Sequence, residues 1–217
     1  IAAAADQVRE HVAQSGLDAV VNVAGIGVPG PLELLTAEQL RAELDVNVVG
    51  QVAVTQAFLP LLRAANGRIV FVGSIGGKTA VQFAGAYHAS KFAMEAVANA
   101  WRQELAPEGL DVVLIEPGPI ATPIWAKAAQ DVEKLLAGGH PETRRYATRL
   151  RSFQDSLRSA AKHGASPSTV AETILDALRA ERPRNRYAVG GPAKIVAALA
   201  GVTPKRLIDA IGRRTAK

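Results

Sequence analysis

The sequence has 217 residues, of which 48% are hydrophobic and 21% are charged, a balance typical of one globular domain with a sizeable core. It contains no cysteine, which excludes disulfides and thiol chemistry, and its four scattered histidines argue against a bound metal. The net charge of +5 could attract nucleic acid, but no recognisable nucleic-acid module accompanies it, so we predict no such partner.

Four short runs of apolar, β-branched residues predict the strands of a sheet. They cover residues 19–23, 68–73, 111–118 and 186–191. None of them alternates cleanly between apolar and polar residues, a pattern typical of strands covered on both faces of a parallel sheet.

Helical segments separate these strands. An alanine-rich helix comes first, and it reads as the continuation of a helix that began upstream of Ile1. Long helices are predicted over residues 36–65, with Thr36 as the N-cap, and over residues 86–106; a further helix is predicted over 166–183. The alternation predicts one α/β domain, residues 1–217, with a parallel sheet.

The segment from 119 to 165 interrupts this alternation. It is polar and helical in pieces, and we interpret it as a substrate lid. Five of its apolar side chains could line a substrate pocket or simply pack the lid helices together: Trp125, Leu135, Leu136, Tyr146 and Phe153. Its arginines are typical of a solvated basic face rather than of a site for an acidic substrate: Arg144, Arg145, Arg149, Arg151 and Arg158.

Three glycines after the first predicted strand have the G-x-G-x-x-G spacing of a dinucleotide-binding loop. They are Gly25, Gly27 and Gly30, and Asp45 follows where a ribose-binding acid would stand. In such a loop a helix begins at the glycines and directs its free N–H groups at the pyrophosphate. Here the helix is expected only at about Thr36, so we predict a glycine-rich turn instead of a phosphate site.

Tyr87 and Lys91 lie four residues apart in a predicted helix, so their side chains share one face. A neighbouring ammonium group lowers the pKa of a tyrosine by stabilising the phenolate. Such a pair can exchange a proton with an alcohol or a carbonyl oxygen. The same spacing also fits a tyrosine at a helix start beside a solvated lysine, so the surroundings decide between the two interpretations.

Other polar residues stand near the expected strand ends. Ser74 follows the second strand, and Asn22 ends the first. Because parallel strands deliver their carboxyl ends to one edge of a sheet, we expect Ser74 to bind a substrate oxygen beside Tyr87. Asn47 lies inside a predicted helix, a poor place for asparagine, where it indicates a bound water or a backbone kink.

The sequence resembles the short-chain dehydrogenase/reductase family, in particular its retinol- and steroid-dehydrogenase-like members. The matching motifs stand in the family's order and spacing: N-V-A-G (22–25), D-V-N-V-V-G (45–50), Ser74, Y-H-A-S-K (87–91) and P-G-P-I-A-T (117–122). The resemblance implies a Rossmann-like doubly wound parallel sheet with helices on both faces and an NADP or NAD cofactor. It also implies hydride transfer between the nicotinamide and a carbonyl or secondary alcohol of a small, apolar substrate.

The resemblance further implies a role for each matched position. Tyr87 would be the general acid/base, with Lys91 lowering its pKa and binding the nicotinamide ribose. Ser74 would orient the substrate oxygen, and Asn47 would hold a water of a proton relay. The residues expected to border the cofactor are Asn22, Ala24 and Gly25 on the adenosine side, Pro117, Gly118, Ile120 and Thr122 on the nicotinamide side, and Tyr87 and Lys91 between them. Helices 36–65 and 86–106 resemble those that pair subunits into homodimers or homotetramers.

The family's own glycine-rich phosphate loop, T-G-x-x-x-G-x-G, is not found in the sequence. By analogy we expect roughly 60 further residues before Ile1 in a complete domain, so that the fold is N-terminally incomplete. A truncated, non-catalytic scaffold or interaction module that binds no cofactor is therefore the alternative hypothesis. We expect a cytoplasmic protein, since we identify neither a secretory signal nor an apolar run long enough to span a membrane. Membrane contact through the segment 193–213, apolar on one side and basic on the other, is a minor alternative.

Overall fold

A four-stranded parallel sheet is the centre of the computed structural model, which describes residues 1–12 and 15–199. In these residues the strand order is β1-β2-β3-β4, with all neighbours parallel. The strands are β1 (Ala19–Asn22), β2 (Arg68–Val72), β3 (Asp111–Pro117) and β4 (Arg186–Val189). All four predicted strands are confirmed, and each ends slightly earlier than its apolar run.

Eight α-helices are present in the described part of the chain. They are α1 (Ala2–Val12), α2 (Ala37–Leu44), α3 (Gly50–Ala65), α4 (Gly85–Leu105), α5 (Pro123–Ala137), α6 (Thr143–His163), α7 (Pro167–Arg179) and α8 (Gly191–Leu199). Because helices alternate with parallel strands, the predicted α/β fold is confirmed.

Helices cover both faces of the sheet. On one face α3 and α4 pack their apolar residues, such as Leu62 and Met94, against Phe71. On the other face α7 buries Ala177 against Val113 and its neighbours. The central strands β2 and β3 are therefore buried on both sides, which explains why their sequence shows no alternation.

The predicted helix 36–65 is two α-helices joined by one π-helical turn. Thr36 caps α2 as predicted, because its hydroxyl accepts the N–H of Gln39 while the Gln39 side chain accepts the N–H of Thr36. Residues Asp45–Val49 then form the π turn, in which Gly50 donates its N–H to the carbonyl of Asp45. The helix thus departs from α-helical geometry at Asn47, where a bound water or a backbone kink was predicted.

The predicted lid segment is a pair of helices, α5 and α6, with its own apolar core. The core includes Phe83, Val132 and Leu150, and the five apolar lid residues named above pack against it. Phe83 makes edge contacts with Tyr146 and Phe153, with ring centroids 5.9 and 5.8 Å apart. Packing of the lid helices is therefore the role that the structure supports for these side chains, and the five lid arginines are exposed, as the solvated-face interpretation requires.

The prediction that no apolar run is long enough to span a membrane was wrong. Residues Ala37–Ala65 form a continuous helical stretch that is long and apolar enough, by length and composition, to cross a membrane. The same stretch buries the polar side chains of Asn47, Gln51 and Thr55 within the domain, so it belongs to the packed fold described here. The segment 193–213 lies mostly outside the described residues, which end at 199.

Candidate functional site

The polar residues predicted from the motifs meet at the carboxyl ends of the strands. Ser74 follows β2, Tyr87 and Lys91 lie on the first turns of α4, and Asn47 lies in the π turn between α2 and α3. Open parallel sheets bind ligands at this edge. The structure brings all four together, although they come from three separate segments of the chain.

Ser74 and Tyr87 converge on Gly76, in the short turn Ile75–Gly77 that follows β2. A Cβ atom on Gly76 would lie 3.1 Å from a Tyr87 ring carbon and 3.3 Å from Ser74 Oγ. Both distances are tighter than ordinary contact, so a larger residue at position 76 would require Tyr87 or Ser74 to shift by a few tenths of an ångström. Ser74 Oγ accepts the Gly76 N–H at 3.0 Å, which orients the serine side chain and leaves its own O–H free to donate.

Lys91 is buried beside the tyrosine ring. Its Nζ atom lies 5.8 Å from the centroid of the Tyr87 ring and donates a hydrogen bond to the Val72 carbonyl at 3.1 Å. Burial lowers the pKa of Lys91 to about 8, although the negative charge of Glu43 opposes that fall. The side chain is still mainly an ammonium group at pH 7.

The pKa of Tyr87 lies above its ordinary value, because burial disfavours the phenolate. The negative charge of Glu43 raises this pKa further. A hydrogen bond with Ser74 lowers it, but by less than burial raises it. Burial thus sets the net direction of the Tyr87 pKa, and the lowering effect of Lys91 stays a prediction. The neutral phenol is the dominant form at neutral pH.

Asn47 binds the loop that follows β1. Its Oδ1 accepts the Ile26 N–H at 2.8 Å, while its Nδ2 donates to the Ile26 carbonyl at 2.9 Å and to Ser90 Oγ at 2.9 Å. The side chain is fully buried and joins the loop, the π turn and α4. Both Nδ2 hydrogens are thus used by protein acceptors, so the water predicted for this position would have to donate to Oδ1 or bind the backbone of the residue.

The three glycines of the G-x-G-x-x-G spacing lie in an extended loop and precede no helix directly. The turn Leu32–Leu34 and the cap Thr36 separate them from α2, so the prediction against a phosphate loop is confirmed. Gly30 is more than a turn residue, however. It has a φ of 152° and pairs with Ala84 in a parallel bridge, which holds the loop against the start of α4.

Gly25 is the member of this loop that reaches the site. A Cβ atom added to Gly25 would lie 3.3 Å from Asn47 Oδ1 and 3.8 Å from Lys91 Nζ. The backbone therefore passes close to the polar groups without a side chain of its own. A glycine where the backbone comes this close to polar side chains marks a point of close approach at the end of β1.

The other residues predicted on the adenosine side are tied to α3. Asn22 is buried and donates from Nδ2 to Thr55 Oγ1 at 3.1 Å, and the Ala24 carbonyl accepts from Gln51 Nε2 at 2.8 Å. These contacts anchor the end of β1 to the helix. The side chain of Asn22 faces the protein, so any contact it makes with a ligand is through the backbone.

The residues predicted on the nicotinamide side lead from β3 into the lid. Gly118 donates its N–H to the Val189 carbonyl at 2.9 Å, and Pro117 is the last residue of β3. Ile120 is buried, and its carbonyl accepts the indole N–H of Trp125 at 2.6 Å. Thr122 occupies the N-cap position of α5 but makes no side-chain capping bond, so its hydroxyl is available to another partner.

Two polar residues of the site were missed in the sequence. His88 is buried, and its Nδ1 lies 2.8 Å from the Gly76 carbonyl, to which it must donate because a carbonyl only accepts. Glu43 is fully buried in α2, and burial raises its pKa to about 7. The position of Glu43 one helical turn before Asn47 is the signal that would have placed both on one face.

Known proteins with similar sequences belong to one family. The profile of the family described as short chain dehydrogenase matches residues 1–133. The chain is 41% identical to the 3-amino-tetrahydro-pyrrolizinone reductase of Xenorhabdus hominickii, over 81% of this chain and 62% of that protein. It is 39% identical to human 17-beta-hydroxysteroid dehydrogenase type 1, over 82% of this chain and 54% of that protein.

A longer match is found in the NADPH-dependent 3-dehydrocapnine reductase of Ornithobacterium rhinotracheale, 33% identical over 96% of this chain and 73% of that protein. Among solved structures, a short-chain dehydrogenase from Streptomyces avermitilis superposes with a TM-score of 0.69 at 25% identity. That match covers 93% of this chain and 70% of the other. The chain spans less than two thirds of the length of the Xenorhabdus reductase and of the human dehydrogenase.

Proposed function

Because the chain belongs to the short-chain dehydrogenase/reductase family, we propose that it acts in hydride transfer between NADP or NAD and a small substrate. The substrate is a carbonyl compound or a secondary alcohol, and the names of its relatives, which include a hydroxysteroid dehydrogenase, suggest an apolar one. Domain 1–217 would carry the dinucleotide, and segment 119–165 would cover the substrate.

The convergence of Ser74, Tyr87 and Lys91 at one strand edge carries this proposal. Each is held by a contact that the sequence spacing alone does not require, such as the hydrogen bond from Lys91 to the Val72 carbonyl at 3.1 Å. Two hydroxyl groups that can reach one oxygen atom, with an ammonium group behind them, suit proton exchange with a carbonyl or alcohol.

The residues present suit a dinucleotide. Gly25 passes close to Lys91 Nζ without a side chain. Its backbone therefore offers a flat surface at the end of β1, on which a Cβ atom would intrude. We assign Asn22, Ala24 and Gly25 to the adenosine side through their backbone, and Tyr87 and Lys91 to the nicotinamide ribose. Pro117, Gly118, Ile120 and Thr122 would border the nicotinamide, with the free hydroxyl of Thr122 as a donor.

The protein's own contribution to the reaction is the movement of a proton. When bound, the nicotinamide supplies or accepts the hydride. In the direction of reduction, the neutral Tyr87 phenol donates its proton to the carbonyl oxygen, and the Ser74 O–H stabilises the charge on that oxygen. The Lys91 ammonium favours the phenolate that remains.

The site also suggests how copies of the chain would associate. Val46, Val49 and Phe92 are 37, 56 and 44% exposed, and they lie on the π turn and on α4, which pack against each other. Exposed apolar side chains on adjacent helices favour association, so we propose a homodimer or homotetramer through helices 36–65 and 86–106. We further propose a cytoplasmic location for the assembly.

Titration with NADPH and NADH, followed by nicotinamide fluorescence, tests the proposal directly. We expect saturable binding, and we expect Gly25→Ala to weaken it, because the new methyl group would stand 3.3 Å from Asn47 Oδ1 and 3.8 Å from Lys91 Nζ. Gly191→Ala is the matched control, since a Cβ atom there meets nothing within 4 Å.

The non-catalytic scaffold makes the opposite prediction in the same experiment. A full-length protein that binds neither dinucleotide at millimolar concentration, while keeping its folded circular dichroism spectrum, would support the scaffold and refute the oxidoreductase.

A further inference from the structure

A fully buried carboxyl group stands behind the proposed catalytic residues. Glu43 is 0% exposed, and it is the only buried residue of α2, whose other side chains are exposed or half-buried. A buried carboxyl group without partners is costly, so its position calls for specific interactions.

Glu43 binds the loop that crosses the site. Its Oε2 accepts the Val28 N–H at 3.1 Å, and its Oε1 lies 3.5 Å from Asn47 Nδ2. Asn47 in turn binds both backbone groups of Ile26. Glu43 and Asn47, one helical turn apart, therefore hold alternate residues of the same loop.

This loop contacts the proposed catalytic pair. A Cβ atom on Gly25 would meet Lys91 Nζ at 3.8 Å, and one on Gly27 would meet the Tyr87 ring at 3.9 Å. A shift of the loop would thus change the space around Tyr87 and Lys91. Fixing the loop is consequently a way of fixing the site.

Glu43 also acts through its charge. Among the described residues, the titratable groups that face it are Lys91 and Tyr87, both on α4. Its negative charge raises the pKa of Lys91, against a burial effect that lowers it to about 8. Its neutral partners are the Val28 N–H and Asn47 Nδ2, and Asn47 in turn donates to Ser90 Oγ.

We propose that Glu43 is a positioning residue of this site: it fixes the loop 25–28 over Tyr87 and Lys91, and, once ionised, it favours the ammonium form of Lys91. The role in catalysis rests on the function proposed above. The effect on the position of the loop and the effect on the protonation of Lys91 do not depend on that function.

The charge effect is tested by the pKa of Lys91 in the full chain. We would measure it by NMR with ¹³Cε-labelled lysine and assign the signal with Lys91→Arg. Glu43→Gln keeps an oxygen that can accept the Val28 N–H but removes the charge, so the pKa of Lys91 should fall. Glu38→Gln, on the exposed face of the same helix, should leave it unchanged. An unaltered Lys91 pKa in Glu43→Gln would overturn the charge effect.

The positioning effect is tested by hydrogen exchange at the Val28 amide. Glu43→Ala removes the acceptor and should speed that exchange, whereas Glu43→Gln should keep it close to the wild-type rate. Equal protection of Val28 in both variants and the wild type would overturn the positioning effect. Should Glu43→Ala fail to fold, Glu43→Asp, which shortens the side chain but keeps the charge, replaces it with the same expected outcome.

A catalytic readout then separates this inference from the proposed function. In an active enzyme, Glu43→Gln should move the alkaline limb of the kcat/KM profile to lower pH, because Lys91 loses its proton earlier. A profile identical to that of the wild type would remove the link to catalysis. Absence of turnover in the full-length protein would refute the proposed function, while the two measurements on Lys91 and Val28 would still decide the role of Glu43.

Discussion

The strand edge and the lid are held together by opposite means. At the strand edge, buried polar side chains join segments distant in sequence, as in the bond from Asn47 to Ser90, 43 residues further on. In the lid, α5 and α6 follow each other in the chain and share an apolar core that includes Val132 and Leu150. A site that handles protons needs fixed dipoles, whereas a cover over a substrate needs only shape and apolar surface.

The sharpest test of this contrast compares one tyrosine from each region. Tyr87→Phe removes the hydroxyl group proposed to move the proton and should lower kcat by about 10²- to 10⁴-fold. Tyr146→Phe removes a lid hydroxyl but keeps the ring that contacts Phe83, so it should change kcat little. Steady-state kinetics with matched circular dichroism spectra provide the measurement. Substantial turnover by Tyr87→Phe would show that the proton moves through another group.

A second comparison concerns buried amide side chains. Asn47→Ala breaks hydrogen bonds to Ile26 and Ser90 and leaves buried partners unsatisfied, so it should lower the free energy of unfolding by roughly 2–4 kcal/mol. Gln154→Ala, in α6, loses one bond to the Ala129 carbonyl and should cost about 1 kcal/mol.

Urea denaturation of both variants measures this difference. Equal losses would mean that the polar network of the strand edge adds no more to the free energy of unfolding than a single buried hydrogen bond adds in the lid.

The smallest effect is expected on the surface of the lid. Arg158 lies 3.7 Å from Glu133 and 3.5 Å from Asp155, with its side chain 56% exposed. Such pairs are screened by solvent, so Arg158→Ala should change the free energy of unfolding by less than about 1 kcal/mol. Thermal denaturation at low and high salt would detect it, and a larger loss would mean that charge as well as apolar packing holds the lid.

Much of the site could be read from local patterns, and the rest depended on partners that only folding supplies. The face shared by Tyr87 and Lys91 follows from helical spacing, and the position of Ser74 follows from the end of a buried strand. The direction of the Tyr87 pKa did not follow, because burial and the negative charge of Glu43 both raise it. Glu43 went unnoticed because a glutamate on a polar helix is normally solvated.

The sequence by itself determined the strands, the order of the helices, the cap at Thr36 and the rejection of a phosphate loop at Gly25–Gly30. These features depend on residues within one element or one turn, where propensity and spacing act. Only the tertiary structure decided that Gly30 pairs with Ala84, that the lid aromatics pack against Phe83, and that Glu43 faces Lys91. Burial and charge are properties of the surroundings, and those surroundings come from parts of the chain far apart in sequence.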